Sequence, residues 1–251
     1  MTLLQKARFH FNFILYDARY SIRPVIGRIL NILRRRKFTP QPCKRAILII
    51  TVKHFGYFPE ENIIPYLTTE PDKAFLDIGA NWGGYTLIMA TKCKHVYAWE
   101  PSPKVFQQLK SNTAKHSNVI LFQEALGDVE KSGKLFLHAC SGHNNLLGGS
   151  SIDFIGETAD VQIKTLDSHV FLERIGLIKI DTEGYEVPIL KGAMKTILSH
   201  KPRLILEVHE PYEANTEEIL KLLPSYRWKR CHKVPCLPNI QNQFHLIGTP
   251  K

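Results

Sequence analysis

This chain of 251 residues has few of the features that mark secreted or membrane-spanning proteins. Its five cysteines, at positions 43, 93, 140, 231 and 236, are too few and too scattered for a disulfide scaffold, which fits a reducing compartment. No uninterrupted apolar run reaches the roughly 18 residues of a spanning helix. Charges also interrupt the N-terminal apolar stretch, and no small-residue cleavage site follows it. We therefore predict a cytoplasmic protein.

Acidic residues are scarce in only one part of the chain. Residues 1–53 carry twelve Lys/Arg and one acid, whereas residues 54–251 carry twenty-one Lys/Arg and twenty-two acids. The formal net charge of +10 thus belongs to the N-terminal segment. This distribution argues against a nucleic-acid groove across the larger part, although a basic arm remains an alternative. We predict a basic helical segment at 1–53 and a separate domain at 54–251.

The basic segment has the pattern of an amphipathic helix. Apolar residues recur at three- and four-residue spacing in residues 22–36, with arginines on the other side. Such a helix could place residues 1–37 on an anionic membrane surface, as a peripheral contact. A helix packed on its own domain or on a partner subunit, with its arginines in solvent, is the more common explanation of this pattern.

Beyond residue 70, predicted strands and helices alternate. Alternation of this kind indicates an α/β domain whose mostly parallel sheet is covered on both faces, and we expect the last strand pair to be antiparallel. The predicted strands are 75–78, 95–99, 119–122, 134–138, 161–166, 177–180, 203–208, 226–230 and 243–248. The predicted helices are 84–92, 103–114, 167–175, 186–199 and 215–223.

The first strand of this domain leads into a turn that is typical of a nucleotide site. An apolar run ends at Asp77, a small-residue turn containing Gly79 follows, and a helical pattern begins near residue 84. The next strand ends in Glu100, 21 positions after Gly79, where an acid can accept hydrogen bonds from both hydroxyls of a ribose. These residues predict a cofactor that contains a nucleoside.

The turn favours S-adenosylmethionine over a dinucleotide. Dinucleotide sites need a second glycine where the backbone meets the pyrophosphate, and this sequence has Asn81 there. The Asp77 carboxylate would repel a pyrophosphate, but it could accept a hydrogen bond from the ammonium of an amino-acid cofactor. S-adenosylmethionine has that ammonium and a ribose, and it has no phosphate.

Several motifs together resemble the FkbM-type methyltransferases over about residues 70–210. The resemblance implies a class I, Rossmann-like fold with a seven-stranded, mostly parallel sheet. It also implies S-adenosylmethionine-dependent methylation of hydroxyls in sugars, polyketides or similar metabolites. The motifs are Phe-Leu-Asp-Ile-Gly-Ala-Asn-x-Gly at 75–83, Glu-Pro at 100–101, Ala-Leu-Gly-Asp at 125–128, Lys-Thr-Leu-Asp at 164–167 and Ile-Lys-Ile-Asp-Thr-Glu-Gly-Tyr-Glu at 178–186.

The resemblance also implies a set of cofactor contacts. The turn around the methionine part would contain four of them, the ribose would meet one acid, and the adenine would lie near the segment 125–128. The residues are Asp77, Gly79, Asn81 and Gly83 for the turn, Glu100 for the ribose, and Ala125 and Asp128 for the adenine side.

Candidate catalytic residues follow two later strands. Methyl transfer to a hydroxyl requires alignment of the acceptor and removal of its proton at or near transfer. The candidates are Asp181 and Glu183 after one strand, and Glu207 and His209 at the end of the next. One of them could act as a general base. Alternatively, Asp181 with Glu207 could hold a divalent cation that acidifies the hydroxyl.

We therefore predict a methyltransferase that moves a methyl group from S-adenosylmethionine to a hydroxyl of a small molecule or glycan. One alternative is an RNA-directed or other N-methyltransferase that uses the basic segment as an arm. A second alternative is a non-catalytic binding protein that retains only the fold.

Overall fold

The computed structural model describes residues 63–138, 146, 154–209, 213–232 and 243–251. The basic segment 1–53 and the predicted boundary at residue 54 lie outside the described residues, as does the side chain of His209. Of the helices in the described ranges, none is long and apolar enough to cross a bilayer.

Most of the described chain consists of short strands and helices that alternate. The strands are β1 (Ala74–Ile78), β2 (His95–Trp99), β3 (Val119–Phe122), β4 (Ala125–Leu126), β5 (Lys131–His138), β6 (Phe154–Lys164), β7 (Ile175–Ile180), β8 (Arg203–His209), β9 (Tyr226–His232) and β10 (Gln243–Pro250). The helices are α1 (Gly84–Ala90), α2 (Pro103–Thr113), α3 (Glu186–Lys191), α4 (Met194–His200) and α5 (Glu213–Leu222).

Seven strands form one sheet in the order β3-β2-β1-β7-β8-β10-β9. The pairs from β3 through β8 are parallel, whereas β10 pairs antiparallel with both β8 and β9. The predicted seven-stranded, mostly parallel sheet with an antiparallel final pair is confirmed. The chain order reverses between β1 and β7, and in open α/β sheets such a switch point forms the ligand crevice at the strands' carboxyl ends. β4, β6 and β5 form a second, smaller sheet.

The central strands have apolar side chains on both faces, as expected for strands covered from both sides. On one face, Phe75, Leu177 and Ile205 form a core with residues of α1. On the other face, alternate residues of the same strands pack against α3, α4 and α5. This packing holds the carboxyl ends of β1, β7 and β8 side by side.

Two predicted helices differ in the structure. The prediction of a helix at 167–175 is wrong, because only a short 3-10 turn (Leu166–Ser168) forms there. The residues after it lie across β2, where the ring of His169 contacts Trp99 and that of Phe171 contacts Tyr97. The helix predicted at 186–199 is divided into α3 and α4 at Gly192. A Cβ at that position would lie 1.9 Å from the carbonyl oxygen of Gly127.

Candidate active site

The turn between β1 and α1 has a backbone that ordinary side chains disfavour. Gly79 and Gly83 have positive φ angles of 75° and 93°, and Asn81 has a φ of 49°. A Cβ on Gly79 would lie 1.9 Å from the carbonyl oxygen of Asp181, so the turn rests directly on the backbone that follows β7. The glycine thus joins the predicted cofactor turn to the predicted catalytic segment.

Glu100 ties the same turn to the end of β2. Its Oε2 accepts a hydrogen bond from the backbone N–H of Asn81 at 3.0 Å, and its Oε1 accepts one from the N–H of Ser102 at 2.9 Å. Burial raises the pKa of Glu100 to about 7, against the opposing effect of these two N–H groups. A carboxylate can accept about four hydrogen bonds, so Glu100 retains the capacity to accept two ribose hydroxyls.

Asp77 lies beneath the turn with its side chain fully buried. Its Oδ2 accepts a hydrogen bond from the Thr86 hydroxyl at 2.6 Å. Its Oδ1 lies 3.7 Å from Nζ of Lys179 and has no hydrogen-bond partner among the described residues. The carboxylate therefore faces an ammonium of the protein itself, and its predicted contact with the ammonium of a cofactor stays a prediction.

Lys179 lies inside β7, and its ammonium is surrounded by acidic and aromatic groups. Nζ donates a hydrogen bond to Oδ2 of Asp181 at 3.2 Å and lies 4.8 Å from the ring centre of Tyr85. Burial alone would favour the neutral amine. The attraction of Asp181, Asp77 and Glu207 outweighs burial, so the pKa of Lys179 is raised and the group stays charged. Burial raises the pKa of Asp77, against the opposing effects of the Lys179 ammonium and the Thr86 hydroxyl.

These residues belong to a row of buried ionisable groups near the carboxyl ends of β1, β7 and β8 and the adjacent amino-terminal end of the antiparallel β10. Asp77 of β1 pairs in register with Lys179 of β7, and Glu207 of β8 pairs with His245 of β10. Oε2 of Glu207 lies 3.5 Å from Nε2 of His245. The side-chain exposures are 0% for Asp77, 2% for Lys179, 8% for Glu207 and 1% for His245. We call these four residues the buried charge row.

Asp181 adjoins the buried charge row through Lys179, and solvent reaches its side chain. Its side chain is 25% exposed, although its carboxylate is hydrogen-bonded to the buried Lys179. It follows β7 at the switch point, next to the turn of Gly79. A substrate in the crevice could therefore contact Asp181, whereas the four residues of the buried charge row are shielded.

The segment after Asp181 forms a tight turn that Glu186 stabilises. Oε1 of the buried Glu186 accepts hydrogen bonds from the N–H and hydroxyl of Thr182, both at 3.3 Å, and from the N–H of Gly184 at 3.1 Å. Within this turn Glu183 is half-buried and has a positive φ of 55°. The structure thus gives Glu186 a structural role at the start of α3. The catalytic role of Glu183 stays a prediction.

The remaining predicted residues lie at other points of the site. His209 is the last residue of β8, where its backbone pairs with Gln243. Ala125 is buried in β4, beyond the end of β3, and Asp128 is exposed shortly after it. Neither the adenine role of these two residues nor the catalytic role of His209 is tested by this geometry.

The predicted divalent-cation site does not fit the described residues. Among them, no three His, Cys, Asp or Glu side chains are grouped so that they could hold a metal ion. The Lys179 ammonium already lies beside Oδ2 of Asp181, and this positive charge would oppose a divalent cation at the same oxygen. Glu207, the other proposed ligand, faces His245.

Sequence reasoning missed Lys179, Thr86 and His245. A signal for Lys179 was present, because a charged residue in the apolar run Leu-Ile-Lys-Ile of β7 shares strand parity with the buried Leu177. His245 likewise shares parity with the buried Ile247. The alternation of side chains along one strand does not identify the partner on the next strand. That partner depends on the register of two segments about 100 residues apart.

Comparisons with known proteins identify the family of this chain. The chain matches the family described as Methyltransferase FkbM domain over residues 77–231. It is 26% identical to the hexuronic acid methyltransferase AglP of Haloferax volcanii in an alignment of 171 residues that covers 65% of this chain and 67% of that protein. It is 31% identical to Methyltransferase 1 of Beauveria bassiana in an alignment of 147 residues that covers 49% of this chain and 59% of that protein.

Two solved structures share the fold at low sequence identity. The methyltransferase FkbM of Methylobacillus flagellatus has a TM-score of 0.53 at 18% identity, and the match covers 86% of this chain and 57% of that one. An rRNA methylase of Streptococcus thermophilus has a TM-score of 0.50 at 12% identity, over 77% of this chain and 99% of that one. This chain thus spans less than two thirds of the Beauveria and Methylobacillus proteins. Since the family match covers more than half of the sequence, the chain belongs to the FkbM family of S-adenosylmethionine-dependent methyltransferases.

Proposed function

We propose that this protein transfers a methyl group from S-adenosylmethionine to a hydroxyl of a sugar, with Asp181 as the general base. The observation that carries the proposal is the placement of Asp181. Its carboxylate is partly exposed at the switch point of the sheet and hydrogen-bonded to a buried lysine. It also adjoins the turn that the family resemblance assigns to the methyl donor.

The residues of the turn suit the proposed cofactor. The left-handed backbone at Gly79 and Asn81 curves the chain tightly ahead of α1, and Glu100 holds that curve through the N–H of Asn81. Glu100 would accept the ribose hydroxyls with its remaining lone pairs. When bound, S-adenosylmethionine supplies an electrophilic methyl group on its sulfonium.

The acceptor hydroxyl must lose its proton as its oxygen forms the new bond to carbon. Asp181 would accept that proton, because its carboxylate is partly exposed at the crevice and is held by the Lys179 ammonium at 3.2 Å. The carbon–sulfur bond breaks as the carbon–oxygen bond forms, so that a methyl ether and S-adenosylhomocysteine leave. The protein contributes alignment of the hydroxyl and removal of its proton.

A sugar acceptor is supported by the relative AglP, which is named as a hexuronic acid methyltransferase. A hexuronic acid offers two kinds of acceptor oxygen, its hydroxyls and its carboxylate. Methylation of the carboxylate needs no base, since that oxygen is already deprotonated at neutral pH, whereas methylation of a hydroxyl does. We propose the hydroxyl, and the partly exposed carboxylate of Asp181 supports it as a group that could take the hydroxyl proton.

The test is methyl transfer from methyl-labelled S-adenosylmethionine to 4-nitrophenyl β-glucuronide and to 4-nitrophenyl β-glucoside. A methyl ether survives mild alkali, whereas a methyl ester releases methanol. The proposal predicts an alkali-stable product that the Asp181→Asn variant does not form. A labelled product that is fully alkali-labile would contradict hydroxyl methylation. Absence of transfer to a wider panel of sugars, with intact S-adenosylhomocysteine binding, would contradict a sugar acceptor.

A further inference from the structure

The buried charge row contains a lysine that lies within the motif at 178–186 but has no role assigned to it, and that is too deeply buried to contact a substrate. Lys179 has a side-chain exposure of 2%, compared with 25% for the neighbouring Asp181. Its ammonium lies 3.2 Å from Oδ2 of Asp181 and 3.7 Å from Oδ1 of Asp77. One cation therefore links the acid beneath the cofactor turn to the acid at the end of β7.

The surroundings of Lys179 fix the position of its ammonium. Its β7 neighbours are buried apolar residues, and the Tyr85 ring lies against Nζ from α1, at 4.8 Å. Asp77 is itself held by the hydroxyl of Thr86 at 2.6 Å. Because the ammonium is fixed from three sides, its hydrogen bond to Asp181 restricts how that carboxylate can turn.

Removal of the lysine would have two separable effects. Buried carboxylates would lose their shared counter-charge, which destabilises the fold. The Asp181 side chain would also lose the partner that fixes its orientation, and a misplaced base lowers the rate of proton removal without a matching loss of cofactor affinity. The second effect distinguishes positioning from a purely structural role.

We propose that Lys179 is a positioning residue for methyl transfer, and that its buried ammonium aims the Asp181 carboxylate at the acceptor hydroxyl. The inference rests on the proposed function, in which Asp181 is the base. It assigns no contact between Lys179 and either substrate. It predicts that the turnover rate depends on Lys179, whereas binding of S-adenosylhomocysteine does so only weakly.

The experiment compares wild type with Lys179→Met, which keeps the length of the apolar stem and removes the charge. We expect kcat to fall by about 100-fold, the low end of what a placed general base contributes. The Kd for S-adenosylhomocysteine, measured by calorimetry, should stay within about threefold of wild type. Lys134→Met is the matched control, because it removes a lysine whose ammonium lies 3.0 Å from the Asp160 carboxylate and because both of these side chains are exposed. It should retain wild-type kcat.

A second variant separates loss of positioning from loss of the fold. Asp77→Asn with Lys179→Met removes one negative and one positive charge, so the net charge of the buried site stays the same. We expect this double variant to recover thermal stability, whereas its kcat at saturating S-adenosylmethionine stays about 100-fold below that of Asp77→Asn alone. Recovery of kcat in the double variant would show that Lys179 only balances charge, and the positioning role would be wrong.

The crystal structure of the S-adenosylhomocysteine complex gives the same answer without an acceptor. In wild type the Asp181 carboxylate should remain on Nζ of Lys179 and point to the side of the sulfur, and in Lys179→Met it should adopt another rotamer. An unchanged rotamer would overturn the inference and leave the proposed function standing. If wild type binds S-adenosylhomocysteine but methylates no sugar, the proposed function is wrong. The comparison of Asp181 rotamers still decides whether Lys179 positions that side chain.

Discussion

Replacement of Glu100 by glutamine removes an acid that lies almost fully inside the protein at the end of β2. Burial raises its pKa from the ordinary value of 4.5 to about 7. The folded protein therefore keeps a proton on Glu100 at pH values where the unfolded chain has released it. The free energy of unfolding consequently falls as the pH rises from 4.5 to 7 and levels off above that range.

The size of this effect follows from the pKa difference. A shift from 4.5 to about 7 corresponds to about 3 kcal/mol of unfolding free energy, which is lost across that window. Urea unfolding of wild type and Glu100→Gln at pH 5 and pH 8 measures it. Wild type should lose up to about 3 kcal/mol more than the variant between the two pH values. The exposed control Glu130→Gln removes an acid whose pKa is lowered by Lys164, so it should not abolish the slope.

The same ionisation should control cofactor binding, because ribose hydroxyls donate better to a carboxylate than to a carboxylic acid. The affinity of wild type for S-adenosylhomocysteine should weaken about tenfold from pH 8 to pH 6. Glu100→Gln should bind weakly with little dependence on pH in this range. A pH-independent affinity in wild type, or the same slope in the variant, would refute the reasoning that Glu100 both titrates near neutrality and contacts the ribose.

Three further predictions address the base, the turn and the metal. Asp181→Asn should lower kcat by about 100-fold or more and leave the calorimetric Kd for S-adenosylhomocysteine within about threefold, and an equal loss in both would contradict a role as base. Gly79→Ala should lower Tm in thermal unfolding, because its Cβ would lie 1.9 Å from the carbonyl oxygen of Asp181. The control Gly156→Ala also has a positive φ, of 79°, but its Cβ would meet open space, so it should lower Tm less. Turnover should survive treatment with a chelator and desalting, and a loss that Mg²⁺ restores would show a metal requirement.

The fold was largely predictable from periodicity, because strands buried on both faces and amphipathic helices alternate along the chain. The helix predicted at 167–175 failed for a specific reason. His169 and Phe171 pack inward on β2, while the intervening Val170 and Leu172 are 87% and 76% exposed. Burial thus alternates with a period of two, which is typical of an extended chain. The sequence does not show this alternation, because the exposed residues are apolar like the buried ones.

The turn between β1 and α1 was predictable from local sequence because glycine and asparagine tolerate a left-handed backbone better than other residues, and the structure gives φ angles of 49° to 93° at Gly79, Asn81 and Gly83. The partner of Asp77, the acid of this turn, was not predictable from local sequence. Asp77 meets Lys179 because β1 and β7 are adjacent and in that register, although about 100 residues separate them in the chain. Local patterns carry no information about such pairings, so sequence reasoning directed Asp77 toward the cofactor and left Lys179 unassigned.

The central claim is that this crevice binds S-adenosylmethionine with Glu100 on the ribose. It is tested most directly by calorimetric titration of S-adenosylhomocysteine at pH 8 into wild type and into Glu100→Ala, with folding of both verified by circular dichroism. We predict one site per chain in wild type and a large loss of affinity in the variant. A wild-type protein that binds no S-adenosylhomocysteine, or a variant that binds it equally well, would contradict the claim.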